Sequence, residues 1–170
     1  MKKLLIIAAV LLATTIALTA CGDDEPSEQT TATATYSLTL SQDLLDACNV
    51  FITYKAENGR NVHEAVLTPR WTKTVTSTRF PAEFGVEYTF STKSDGELVK
   101  DKYDLECIFQ FSVKTSKGAS YTNSTVILSD DDVAKNRVVE FLKRYSGKST
   151  GYKVTENGNV SPANNMDYSY

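Results

Sequence analysis

Histidine is almost missing from this chain: His63 is the only one in 170 residues. Zinc sites and Ser-His-Asp or Cys-His catalysis need histidine among close partners, so the usual forms of both are excluded. Tryptophan is as scarce, with Trp71 alone. There is no basic stripe or block, and 18 Lys and Arg face 21 Asp and Glu. A nucleic-acid partner is therefore not expected. The longest apolar run, Leu4 to Leu18, falls short of the roughly 20 residues a helix needs to cross a bilayer core. No internal repeat and no catalytic or cofactor motif stands out. No cofactor and no metal is expected, and the chain is not read as an enzyme.

What is present begins at the N-terminus. Lys2 and Lys3 precede the apolar run, and Leu18-Thr19-Ala20-Cys21 closes it before Gly22-Asp23-Asp24-Glu25. A charged start, a short apolar stretch and small residues at the exit read as a cleaved export signal over residues 1–20. The Leu-Thr-Ala-Cys tetrapeptide resembles the lipobox of bacterial lipoproteins. That resemblance implies cleavage before Cys21 and lipidation of Cys21, with the outer membrane as the partner surface. Each buried CH₂ contributes about 0.8 kcal/mol, so two or three acyl chains would hold the protein without a transmembrane helix. The acidic run Asp23, Asp24 and Glu25 resembles the export tag of Bacteroidota surface lipoproteins. It implies an outward-facing position, with a periplasm-facing one as the alternative.

Of the 18 basic residues, Lys2 and Lys3 fall in the leader. That leaves 16 against 21 acidic ones, a balance of −5. Residues 21–35 hold no large apolar side chain and read as a flexible acidic tether. Short alternating runs rich in Thr, Val, Tyr and Phe follow from Tyr36, the pattern of half-buried strands. They cover 36–40, 48–54, 61–68, 70–78, 84–90, 103–113 and 121–128. The cleanest is Tyr103, Leu105, Cys107, Phe109, Phe111 and Val113. Seven such runs predict a mainly β fold over residues 36–156: a single antiparallel β-sandwich, immunoglobulin-like or transthyretin-like. One amphipathic helix is expected over about 130–145. Asp130, Asp131 and Asp132 would cap its start, and Ala134, Val138, Phe141, Leu142 and Tyr145 would form its apolar stripe. Residues 157–170 read as a polar tail, with Tyr168 and Tyr170 exposed.

Few residues stand out as sites. Cys48 and Cys107 fall on the apolar sides of the second and sixth strands. In immunoglobulin domains, the inter-sheet disulfide joins strands so placed. That resemblance makes Cys48–Cys107 a candidate disulfide, with two separate buried thiols as the alternative. Asp130–Asp132 with Asn136 lack the spacing of a calcium loop. Glu83 with Glu87, and Asp104 with Glu106, sit at strand spacing, where charge marks the solvent face. Nine Tyr and one Trp offer faces that can stack on sugars. Arg70 and Trp71 are the candidate ligand contacts, with a core position for Trp71 as the alternative.

The sequence thus describes a lipid-anchored surface module that binds a glycan or a surface protein, or serves a structural role. Two other functions stay open: a small carboxylate-dependent glycosidase, and an inhibitor of a partner enzyme.

Overall fold

The computed structural model describes residues 29–163 and 165–169. Cys21, Asp23, Asp24 and Glu25 lie outside the described residues, as does Tyr170.

Two antiparallel sheets face each other across one core, as the alternation predicts. The strands are β1 (Ala32–Leu40), β2 (Cys48–Lys55), β3 (Asn61–Val66), β4 (Arg70–Ser77), β5 (Ala82–Thr92), β6 (Lys102–Thr115), β7 (Ser120–Ala134), β8 (Lys148–Val154) and β9 (Val160–Pro162). One sheet has the order β4-β1-β6-β7, the other β3-β2-β5-β8-β9. The first two strands lie in different sheets, whereas the first two strands of an immunoglobulin domain share one.

Strand β1 begins at Ala32, inside the stretch expected to be tether. Ala32 and Ala34 are fully buried and continue the inward row of Tyr36, Leu38 and Leu40. Alanine gives this row too little bulk to register as apolar alternation. A short helix, α1 (Gln42–Ala47), was not expected. Ser41 caps it by accepting from the Leu44 N–H at 3.2 Å. Leu44 and Ala47 turn inward and close one end of the sandwich.

The second helix is shorter and later than the sequence suggested. Strand β7 stays paired with β6 as far as Ala134, opposite Lys102. Asp130, Asp131 and Asp132 therefore belong to the end of a strand and cap nothing. Asp130 sits across from Leu105, and Asp132 has φ 59° where the ladder shifts register. The fourteen-residue β6 offers a ladder for the acidic segment, and that pairing outweighs its capping chemistry. Helix α2 (Val138–Lys143) buries Val138, Phe141 and Leu142. Gly147, at φ 76°, ends the segment as expected. Its N–H donates to the Tyr88 carbonyl at 2.7 Å.

The core is aromatic. Phe111 stacks on Tyr152 at 4.3 Å, and Tyr88 meets Phe109 edge-on at 5.8 Å. Tyr36 lies between them, fully buried, with Tyr54, Phe109 and Phe111 around its ring. Its hydroxyl donates to the Lys55 carbonyl at 2.8 Å and accepts from the Gly85 N–H at 3.1 Å. The β2–β5 ladder ends at Tyr54–Val86. Where the next rung would form, the phenol of a strand in the opposite sheet stands between the two backbones.

The C-terminal segment is no loose tail. After β9 it crosses the outer face of the five-stranded sheet. The Ala163 N–H donates to the Gly151 carbonyl, and Lys55 Nζ donates to the Asp167 carbonyl. Asn61 Nδ2 donates to the Ser169 carbonyl at 2.6 Å. Tyr168 is 6% exposed, against the expectation of an exposed side chain. It lies over Gly85, which pairs with Gly151 across β5 and β8. A Cβ on Gly85 would collide with the Tyr168 hydroxyl, and one on Gly151 would meet the Met166 sulfur at 2.8 Å. Polar composition hid the anchoring, because the two glycines that receive the segment lie in distant strands.

Candidate functional site

The two outer faces of the sandwich differ. One is crossed by residues 163 and 165–169. The other, on the four-stranded sheet, presents an ordered lattice of hydroxyls. The register builds it row by row. Thr76, Thr33, Lys114 and Ser120 form one row across the sheet. Thr74, Thr35, Ser112 and Thr122 form the next, and Thr72, Ser37, Gln110 and Ser124 the third. Arg70, Thr39, Ile108 and Val126 form the fourth, and beyond it the same side of β6 turns charged at Glu106 and Asp104. All these residues alternate with inward neighbours, because successive side chains on a strand point to opposite sides.

The two central rows hold eight polar residues and no charge, in a chain that is 23% charged. Threonine and serine on an exposed sheet are ordinary strand formers. A patch of this size without Lys, Glu or Asp is not explained by strand formation alone. Cross-strand hydroxyl pairs organise it: Thr33 with Thr76 at 3.1 Å, Thr35 with Thr74 at 3.1 Å and Ser37 with Thr72 at 3.2 Å. Each hydroxyl both donates and accepts, so pairing one neighbour leaves capacity for a ligand. A trough of about 220 Å³ runs between β1, β6 and β7. Thr35, Ser37, Gln110, Ser112, Thr122 and Ser124 line it.

The candidates from the sequence fall elsewhere. Arg70 and Trp71 do not form one contact surface. Arg70 is exposed at the corner of the hydroxyl face, and Trp71 turns to the other side of β4. There Trp71 is half-buried and meets Tyr54 edge-on at 5.5 Å. Its indole N–H donates to Glu64, which also pairs with Lys73 at 3.2 Å. Strand alternation alone separates the two residues.

Cys48 and Cys107 lie in opposite sheets, both buried, and both are free thiols. The candidate disulfide is thus absent from the structure. The Cys48 thiol instead donates to the Leu44 carbonyl at 3.3 Å, at the end of α1. Burial pushes both thiols up to about 12. They fill the core as small apolar groups.

His63 is an exposed strand residue on the outer face of β3. It stacks on Phe51 at 5.4 Å, with Nδ1 3.1 Å from the Thr53 hydroxyl. Glu83 faces solvent and pairs with Lys153 at 3.2 Å. Asp104 accepts from the Asp132 N–H at 3.0 Å. Among the described residues, no group of three or more His, Cys, Asp or Glu is placed to hold a metal ion. No helix among them is long and apolar enough to cross a membrane.

The hydroxyl face was missed, although its signal is visible. Thr31-Ala-Thr-Ala-Thr and Thr72-Lys-Thr-Val-Thr each place threonine at every second position. The spacing says that each set shares one face. Only the β1–β4 pairing shows that the two sets share the same face.

The fold and this face define a β-sandwich module with one open polar surface whose two central rows carry no charge. Compared with known proteins, the chain matches no family model, no curated protein and no solved structure.

Proposed function

We propose that this chain is a lipid-anchored surface module that binds a neutral glycan on the hydroxyl face of its four-stranded sheet. One observation carries the reading: two adjacent rows of uncharged hydrogen-bonding side chains around a shallow trough. A neutral sugar offers hydroxyls that donate and accept, and this lattice answers in kind. None of the eight residues in the two central rows is aromatic, whereas the core of a protein interface is typically aromatic-rich and desolvated. Trp71 turns away from this face, so recognition here runs through hydrogen bonds.

Anchoring rests on the lipobox resemblance at Cys21 and outward display on Asp23, Asp24 and Glu25. Mass spectrometry of the native membrane protein should find an acylated Cys21 at the N-terminus. An unmodified Cys21 would remove the anchor.

The binding test uses Thr35→Val with Thr74→Val. Valine keeps the β-branched shape and removes both hydroxyls. At about 0.5–1.5 kcal/mol for each lost hydrogen bond, the pair should weaken a neutral glycan about tenfold. The wild-type chain is first screened against immobilised neutral and acidic glycans, then titrated by calorimetry. Unchanged melting with tenfold weaker binding supports the assignment. Equal affinity in the double variant, or no neutral glycan bound by the wild type, overturns it.

A further inference from the structure

Among the described residues the two sheets have four free edges, and these are not equally protected. Exposed edges invite pairing with another strand, and proteins usually block them with charge, proline or short length. Edge strand β4 carries Arg70 and Lys73, and β3 carries His63 and Glu64. Edge strand β9 is three residues long and ends in Pro162. Strand β7 is fifteen residues long, and from Ser120 to Ser129 it holds no charge and no proline; its ladder is regular from Ser120 to Val126 and shifts register before Leu128. Among the described residues, its side away from β6 pairs with no strand. Alternate backbone N–H and C=O groups there point outward. Val126, beside this edge, is 59% exposed.

We infer that β7 is a pairing edge for a second copy of this chain, joined antiparallel about a two-fold axis near Ser124. The charges flanking the neutral segment favour this partner. Asp130, Asp131 and Asp132 follow it, and Lys117 precedes it in the β6–β7 turn. An antiparallel pairing centred near Ser124 brings the turn that carries Lys117 in one copy towards the Asp130–Asp132 end of the other, and does so twice. Like charges meet nowhere along the neutral segment. Lys117 also reaches Glu156 at 3.5 Å, and Asp132 reaches Lys102 at 3.2 Å. Both are exposed pairs, weak enough to rearrange. The interface is isologous and closes on itself, so it yields dimers and not fibres. It joins the two four-stranded sheets edge to edge and brings the two hydroxyl faces onto one surface. The pairing itself does not depend on the glycan reading, because its test contains no ligand.

The test is sedimentation equilibrium of the purified chain from about 10 μM to about 1 mM, a range that detects weak dimers. The wild type should shift towards dimer. Ser124→Lys sets two ammonium groups face to face at the axis and should leave monomer throughout. Lys117→Glu should weaken dimerisation at least tenfold, and Lys117→Glu with Asp131→Lys should restore it. Hydrogen exchange of residues 120–129 should slow as concentration rises. A wild type that stays monomeric overturns the proposal. So does a dimer that survives Ser124→Lys, or one that leaves exchange in β7 unchanged.

Discussion

Removing one oxygen atom from the core tests the packing scheme directly. In Tyr36→Phe the ring keeps its contacts with Tyr54, Phe109 and Phe111. Only the hydroxyl goes, and with it both the bond to the Lys55 carbonyl and the bond from the Gly85 N–H. Tyr36 is fully buried, so water has no easy route to replace it. Each orphaned buried backbone group costs about 1–3 kcal/mol. Relief from burying a hydroxyl offsets part of this, leaving an expected loss of about 2–4 kcal/mol. For a domain of this size that lowers the melting temperature by roughly 10 °C. Urea denaturation followed by circular dichroism measures it, with the slope expected to stay unchanged. Tyr103→Phe is the comparison, because its hydroxyl accepts a single bond, from the Lys100 N–H at 3.0 Å. A loss for Tyr36→Phe below about 1 kcal/mol, or no larger than that of Tyr103→Phe, refutes the bridging role.

Two other perturbations follow from the same core. Burial raises the titration points of Cys48, Cys107, Tyr36, Tyr88 and Tyr168 above their ordinary values. The unfolded chain therefore releases these protons first as pH rises. Stability should be intact below the ordinary thiol value of 9.0 and fall between there and about 12 as the thiols, then the phenols, titrate. Urea midpoints at about pH 8 and about pH 11 measure the change, and equal midpoints would contradict the burial of these groups. Phe141→Ala should cost about 3 kcal/mol, since the ring is 9% exposed and packs on Tyr145 at 5.2 Å. Val139→Ala, at a position 51% exposed, should stay within about 0.5 kcal/mol. Thermal melts that show the two variants alike would detach α2 from the core.

Much of the sandwich was legible because period-two alternation survives burial on one face. In β6, Tyr103 to Val113 alternate without a break, and the inward row is as read. The failures have local causes. Alanines at 32 and 34 fill inward positions with too little bulk to signal a strand. At Asp130–Asp132 two physical preferences competed: the side chains suit a helix start, but the long β6 partner holds the backbone extended. Helix α1 left only a serine cap and a pair of leucines as its trace. The candidate site was the least legible part. Each threonine row is a period-two pattern in its own strand. The lattice exists only once β4 and β6 lie on either side of β1, and no single-strand pattern specifies which strands become neighbours.

The segment that crosses the five-stranded sheet ties distant positions to a shared history. Gly151 has no room for a side chain while Ala163 and Met166 lie over it. A descendant that lost this segment could accept alanine at 151 and then vary there. Gly85 would stay constrained even so, since its Cβ would still meet the Thr150 carbonyl at 2.8 Å. Once 151 had drifted to a larger residue, the segment could no longer return to its seat. Loss of the covering would then be hard to reverse, and a lineage that took that step would carry a newly bare sheet face open to selection for binding.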